Sequence, residues 1–382
     1  MENKTFLKMR KFIKKIEIIG RKIFFKILKL IIKSKKINPN DIDLRKIKTI
    51  LIVRQHNELG DMLISSPMFK ALKKSLPDAR IILITRKVNY EVAKGIPYID
   101  KIINYNSKEF FLKPWKFFNF IKKIRNENVD LSIVPSTVSF SLTSALISFF
   151  SKAKIKLGGE VEGVVYPDAE VFFNIYIKVN TKDKHQVDVN LEFLKPLGID
   201  NVKDRELCLK ISDEDERWAD NWFKENSIGK EENLIGVHPG AGKIENRWDV
   251  DKLAEVCNYI LKNYKFKLLV MCGPKEIDLK NKLIKNLNNK NFIEVPLLPL
   301  IKLAGIIKRC KLFICNDTGI LHVAAGVGAT TFAIFGKSNP KFWNPPGENH
   351  YSIWDLTGDI HRISSEDVIK KIRDILSKES IG

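Results

Sequence analysis

The segment Cys315-Asn316-Asp317-Thr318-Gly319-Ile320-Leu321-His322 gathers several groups able to do chemistry. The apolar run Leu312-Phe313-Ile314 before it reads as a buried parallel strand. The small residues Val323-Ala324-Ala325-Gly326 after it suit a tightly packed helix. A strand ending in Asp-Thr-Gly at a helix start brings a carboxylate, a hydroxyl and free backbone N–H groups to one point, an anion site of the helix N-terminus kind. His322 follows Gly319 by three residues, about one turn, so it can face the same crevice. Asp and Thr are also ordinary helix caps, so the segment alone leaves an N-capped helix with a satisfied histidine equally open.

Three further loops carry comparable groups. Leu59-Gly60-Asp61 follows an apolar strand, with Gly60 permitting a tight backbone and Asp61 near a helix N-terminus, as a cleft carboxylate or as a plain cap. Pro67 predicts a kink or a short first turn in the helix beyond. Val237-His238-Pro239-Gly240-Ala241-Gly242 ends another strand with two glycines, so its backbone N–H groups can approach a phosphate, and Lys243 and Arg247 behind it can neutralise a leaving diphosphate. The alternative is a solvated loop. Cys272-Gly273-Pro274-Lys275-Glu276 closes a third strand, and Glu276 can accept from ribose hydroxyls or serve as a first-turn helix acid.

The elements that must position these loops alternate strand and helix. Strands are predicted over 49–54, 80–85, 100–104 and 129–134, with helices over 61–75, 115–125 and 137–150. A second series has strands over 234–238, 267–272, 292–295, 312–315 and 330–335, with helices over 250–263, 275–289 and 298–309 and another from Gly319. The pattern is α/β, two Rossmann-like doubly wound halves facing a cleft, with the connection placed in the charged stretch 212–232. Domain limits of 48–215 and 232–350 follow, with a C-terminal helical segment over 351–382.

The charge balance adds an N-terminal arm. Residues 1–36 hold 13 Lys/Arg and 2 acids, so this arm supplies about half of the net +21. Ile16, Ile19, Ile23, Ile27 and Leu30 make one helical face with lysines largely elsewhere. No apolar run there is long enough for a span, and there is no signal-peptide pattern. A basic amphipathic helix over 1–40 fits the surface of an anionic membrane, or else packs on the body or a partner; Asn38-Pro39-Asn40-Asp41 breaks it. The five cysteines are scattered without a C-x-x-C pair, which argues against zinc and disulfides and fits a reducing cytosol. No nucleic-acid module accompanies the basic charge.

Taken in order, these pieces resemble the family 9 glycosyltransferases, the bacterial heptosyltransferases of lipopolysaccharide core assembly. The resemblance rests on Leu59-Gly60-Asp61-Met62-Leu63 with Pro67, His238-Pro239-Gly240-Ala241, Arg247-Trp248 and Gly273-Pro274-Lys275-Glu276. It continues through Asn316-Asp317-Thr318-Gly319 with His322 and Ala324-Ala325, Phe335-Gly336 and Trp343-Asn344-Pro345. It implies a GT-B architecture with the acceptor domain first and the nucleotide-sugar domain second. It also implies an inverting transfer, ADP-heptose being the expected donor and a lipid-linked glycan of the lipopolysaccharide core the expected acceptor. Asp61 would be the general base, and Asp317, Thr318, Gly319 and His322 would hold the donor diphosphate or sugar. Lys243 or Arg247 would meet the phosphates and Glu276 the nucleoside, with His238 and Gly240 in the same donor loop. No metal and no cofactor are expected, and the location expected is cytoplasmic, peripheral on the inner membrane.

Other assignments fit less well. Gly336-Lys337-Ser338 lacks the earlier P-loop glycine, because Thr331 holds that position. Gly158-Gly159-Glu160-Val161-Glu162-Gly163 does not fit G-x-G-x-x-G. Trp218 and Trp222 are expected on one helix face. A nucleotide-sugar epimerase on the same architecture would not need Asp61 in the first half. A non-catalytic binding protein would not need Asp61 together with the whole donor set.

Overall fold

The computed structural model describes residues 34–55, 58–137, 139–161 and 169–379. The basic amphipathic helix expected over the N-terminal arm lies almost wholly outside these residues. Twelve strands form two sheets of six. The first contains β1 (Thr49–Val53), β2 (Arg80–Arg86), β3 (Lys101–Tyr105), β4 (Leu131–Val134), β5 (Ile155–Val161) and β6 (Ile175–Val179), in the order β3-β2-β1-β4-β5-β6. The second contains β7 (Leu234–His238), β8 (Lys267–Val270), β9 (Phe292–Glu294), β10 (Leu312–Asn316), β11 (Thr331–Phe335) and β12 (His350–Trp354), in the order β12-β11-β10-β7-β8-β9. Every pairing is parallel. Both sheets therefore have the doubly wound order that reverses beside the first strand, and each opens a crevice there at its carboxyl edge.

Strand period two divides the cores. In β1, Ile50 and Ile52 face one core while Leu51 and Val53 face another. In β10, Leu312 and Ile314 point outward and Phe313 and Cys315 inward. Burial on both faces is why these strands read as unbroken apolar runs. The inner core is shared: residues of both sheets and of the helices between them form one continuous cluster.

The chain crosses between the lobes earlier than 212–232. Leu207, Leu209 and Ile211 are buried, and the Leu209 and Lys210 N–H groups donate to the Gly326 and Gly95 carbonyls. The acidic run that looked like a linker is the first turn of the helix Asp213–Glu225, whose N-cap Ser212 accepts from the Asp215 N–H at 3.1 Å. Its inner face, with Trp222 buried and Trp218 packed beside it, lies on the helix Leu300–Ile307, and Ala219 fits against Gly305. Three strands depart from expectation: β12, where a helical segment was expected, and β5 and β6, where no strand was placed. The helix Ser365–Glu379 follows β12.

Candidate active site

Pro67 splits the expected helix 61–75 in two, Leu59–Ile64 and Ser66–Ser75, joined at Ser65. The short first piece presents Asp61 at the carboxyl edge of β1. The Asp61 carboxylate accepts from the Glu58 N–H at 3.3 Å, and Glu58 reciprocates in a capping box. Across the gap, the helix Gly319–Gly326 starts at the carboxyl edge of β10. Thr318 caps it without a side-chain bond to the helix, so its first N–H groups remain for an anion.

The two helices lie side by side. A Cβ on Gly319 would sit 3.0 Å from Leu59 Cδ2, and one on Gly326 would sit 3.6 Å from Leu63 Cδ2. The pairs 59–319 and 63–326 run in the same sense, so both N-termini open on one space. That space is a cavity of about 710 Å³, large enough for a sugar nucleotide. Glu58, Leu59, Gly60 and Asp61 line one wall; Lys243, Asn246, Asp317, Thr318, Gly319 and His322 line the other.

Burial raises the Asp61 carboxyl above its ordinary value, against the lowering pull of Arg54, the Glu58 N–H and Lys243. Asp317 is raised for the same first reason, opposed by a hydrogen bond with Ser338 and by Lys243, and its Oδ2 accepts from Asn246 Nδ2 at 3.0 Å. The Lys243 ammonium thus lies within electrostatic reach of both carboxylates. His322 is fully buried against Gly60, and burial, then His185 and His350, hold its imidazole down to about 3. It is a neutral group at the cavity wall.

The remaining expected donor residues sit behind this surface. His238 is buried with its Nε2 3.5 Å from Glu276 Oε2, and burial lowers its basicity. Glu276 accepts from the Gly273 N–H at 2.9 Å and lies against Gly240, where a Cβ would come within 2.2 Å of its carboxyl carbon. Gly240 is therefore required by the Glu276 carboxylate. Arg247 Nε donates to the Ala241 carbonyl at 2.7 Å and does not line the cavity, whereas Lys243 does. Asn316 holds this loop from below: its Nδ2 donates to the Pro239 and Gly240 carbonyls and its Oδ1 accepts from the Trp248 N–H. Among the described residues no group of three His, Cys, Asp or Glu is gathered as a metal set.

Sequence reasoning missed Arg54 and Asn190. Arg54 is 2% exposed at the end of β1. One of its guanidinium nitrogens donates to Asn190 Oδ1 and the other reaches the Asp61 carbonyl at 3.4 Å. Burial lowers it to about 10, so it stays a cation beneath Asp61 at neutral pH. A basic residue ending an apolar strand just before Gly60-Asp61 was the available signal; Asn190, far away in the chain, gave none.

Two facing doubly wound lobes with a shared cavity at their carboxyl edges define the GT-B architecture. The family model of glycosyltransferase family 9 (heptosyltransferase) matches residues 117–373, more than half of the chain. Lipopolysaccharide heptosyltransferase 3 of Escherichia coli K12 is 25% identical over 308 residues, 77% of this chain and 85% of that protein. Among solved structures, a glycosyl transferase family 9 protein from Veillonella parvula superposes with a TM-score of 0.77 at 22% identity, covering 89% of this chain and 99% of that one. The E. coli heptosyltransferase WaaC with ADP-2-deoxy-2-fluoro heptose gives a TM-score of 0.67 at 15% identity, covering 85% and 99%. The chain belongs to glycosyltransferase family 9, the heptosyltransferases, and is a glycosyltransferase.

Proposed function

We propose that this enzyme transfers heptose from ADP-heptose, with inversion, to a lipopolysaccharide-core or related lipid-linked glycan. The observation that carries the reading is the opposition of Asp61 to Lys243, Thr318 and Gly319 across one cavity. The match to a heptosyltransferase family supports the sugar, and an ADP-heptose analogue bound to WaaC supports the nucleotide.

In this reading the first lobe binds acceptor and the second binds donor. Asp61 takes the proton of an acceptor hydroxyl, whose oxygen attacks the anomeric carbon from the face opposite the diphosphate. The bond from that carbon to the phosphate oxygen breaks, and ADP leaves with the electron pair. Lys243, the Thr318 hydroxyl and the N–H groups at Gly319 receive the developing charge. Asp317, itself an anion tied to Asn246, takes sugar hydroxyls. His322 contributes a neutral polar contact. His238, Gly240 and Glu276 form the support of the nucleoside side, and Arg247 steadies the loop that carries Lys243. Burial makes Asp61 a stronger base than a solvated carboxylate.

No helix among the described residues is long and apolar enough to cross a membrane. The basic N-terminal arm would hold the enzyme peripherally at the cytoplasmic face of the inner membrane, where a lipid-linked acceptor is met.

The test is Asp61→Asn with a nucleotide panel. Loss of a positioned base costs about 10²–10⁴-fold in turnover, while ADP should still raise the Tm. A hundredfold excess of ligand over its Kd adds about 2.7 kcal/mol of stability. Full activity of the variant overturns the base assignment. Preference for UDP, GDP, CMP or dTDP overturns the donor.

A further inference from the structure

Among the described residues, four of the eight exposed large apolar side chains, and every one in the first lobe, lie along one rim; Ile244, Ile277, Leu297 and Leu356 are scattered over the second lobe. Val88 is 64% exposed, Leu112 73%, Trp115 59% and Phe118 71%. Val88 follows β2 directly. The helices Ser107–Leu112 and Pro114–Arg125 follow the neighbouring β3 and return to β4, so Leu112, Trp115 and Phe118 lie at the carboxyl edge of the first sheet. That is the edge on which Asp61 sits.

The rim is built with two faces. In Pro114–Arg125 the inward side is Phe120, Ile121 and Ile124, packed in the outer core of the first lobe. Trp115, Phe118 and Lys122, spaced three and four apart, make the outward stripe. Residues 107–125 contain six Lys/Arg and a single acid, Glu109, which pairs with Lys116. Lys87, Lys113, Lys122 and Lys123 are exposed around the aromatic residues. Lysine is depleted at protein–protein contacts. Tryptophan with lysine is the composition of a surface seated at the boundary of an anionic bilayer.

We infer that Val88, Leu112, Trp115 and Phe118 insert into an anionic phospholipid surface while the surrounding lysines meet its headgroups, seating the first lobe with its cleft edge beside the membrane. The contact is distinct from the N-terminal arm. It deepens the reading of a lipid-linked acceptor, since such a substrate would reach Asp61 without leaving the bilayer. Its test uses phospholipid alone, so its failure and the failure of heptosyl transfer are distinguishable.

The full chain is mixed with phosphatidylglycerol–phosphatidylcholine vesicles that carry brominated acyl chains, and tryptophan fluorescence is followed. The expected result is quenching in the wild type, much reduced in Trp115→Phe, a change that keeps the apolar surface. Leu112→Ser combined with Phe118→Ser should weaken partition into these vesicles by about tenfold or more, with the ADP-induced Tm shift intact. Quenching that persists in Trp115→Phe, or partition unchanged by the double substitution, overturns the inference and leaves the arm as the sole contact. Concentration-dependent self-association that the double substitution abolishes, seen by sedimentation without lipid, overturns it in favour of a second copy.

Discussion

Gly60→Ala tests whether the seam between the lobes sets the catalytic geometry. A Cβ at this position would lie 2.6 Å from His322 Cδ2, where ordinary contact begins at 3.4 Å. The helix Leu59–Ile64 or the imidazole must therefore give by about 0.8 Å. The imidazole and the helix both line the cavity, so either displacement moves a cavity wall. Overpacking costs about 1–3 kcal/mol. Alanine returns up to about 1 kcal/mol over glycine inside a helix, so the net loss is about 0–2 kcal/mol. The effect on turnover is larger, because Asp61 is the next residue and a 1 Å misplacement of a reacting group costs about 10²-fold. The assay pairs urea unfolding with single-turnover transfer from ADP-heptose. Gly158→Ala is the control: its Cβ would meet Phe173 at 2.3 Å within the first lobe, so it should destabilise while folded molecules keep full turnover. A Gly60→Ala enzyme with unchanged stability and turnover would refute the reasoning.

Three further outcomes follow from buried charge. In the proposed mechanism transfer requires ionised Asp61, whose carboxyl is raised by burial, so kcat/KM should fall with acid above the usual carboxylate range. In Arg54→Gln the opposing cation is gone, so the acid limb of the profile should move to still higher pH. Asn190→Ala leaves a buried Arg54 donor unmet, and urea titration should show a loss of about 1–3 kcal/mol. His322 and His350 are held down to about 3 and about 4 from 6.5, burial being the first cause for each. Their stability contribution is intact above pH 6.5 and is lost as pH falls toward those values, because only the unfolded chain takes up the protons. Thermal melts from pH 7 to 4 should show the decline, and His350→Gln should make it shallower.

The strands flanking each switch point were legible because burial on both faces gives them unbroken apolar runs. β5 was not, since its two glycines resemble a loop. The folded chain needs them there because the Phe173 ring and the Ile177 carbonyl occupy the space of their Cβ atoms. β12 mixes His350 and Ser352 with apolar residues and is only half-buried, so it lacks the signal of its neighbours. In the site, Asp61, Asp317 and Lys243 could be located because each stands within two residues of a glycine in a loop after a strand. The supports could not. Arg54 with Asn190 and Asn316 with the His238 loop act across long sequence separations, which no local spacing records. Lys243 and Arg247 were equivalent in sequence; the cavity position of Lys243 and the bond of Arg247 to the Ala241 carbonyl separate them.

The shared inner core also bears on how substrates enter. A hinge that opened the cleft would pull His322 from Gly60 and Gly319 from Leu59, and would wet the buried crossing at Leu207, Leu209 and Ile211. Each Å² of apolar surface so exposed costs about 25 cal/mol, so wide opening competes directly with the stability of the chain. Polar ties between the lobes are cheaper to release: His185 Nε2 donates to the Asn344 carbonyl at 2.8 Å, and Lys341 meets Asp183 at 3.0 Å at the surface. Separating the segments around 183–185 and 341–344 would therefore cost less than parting the lobes at the apolar seam.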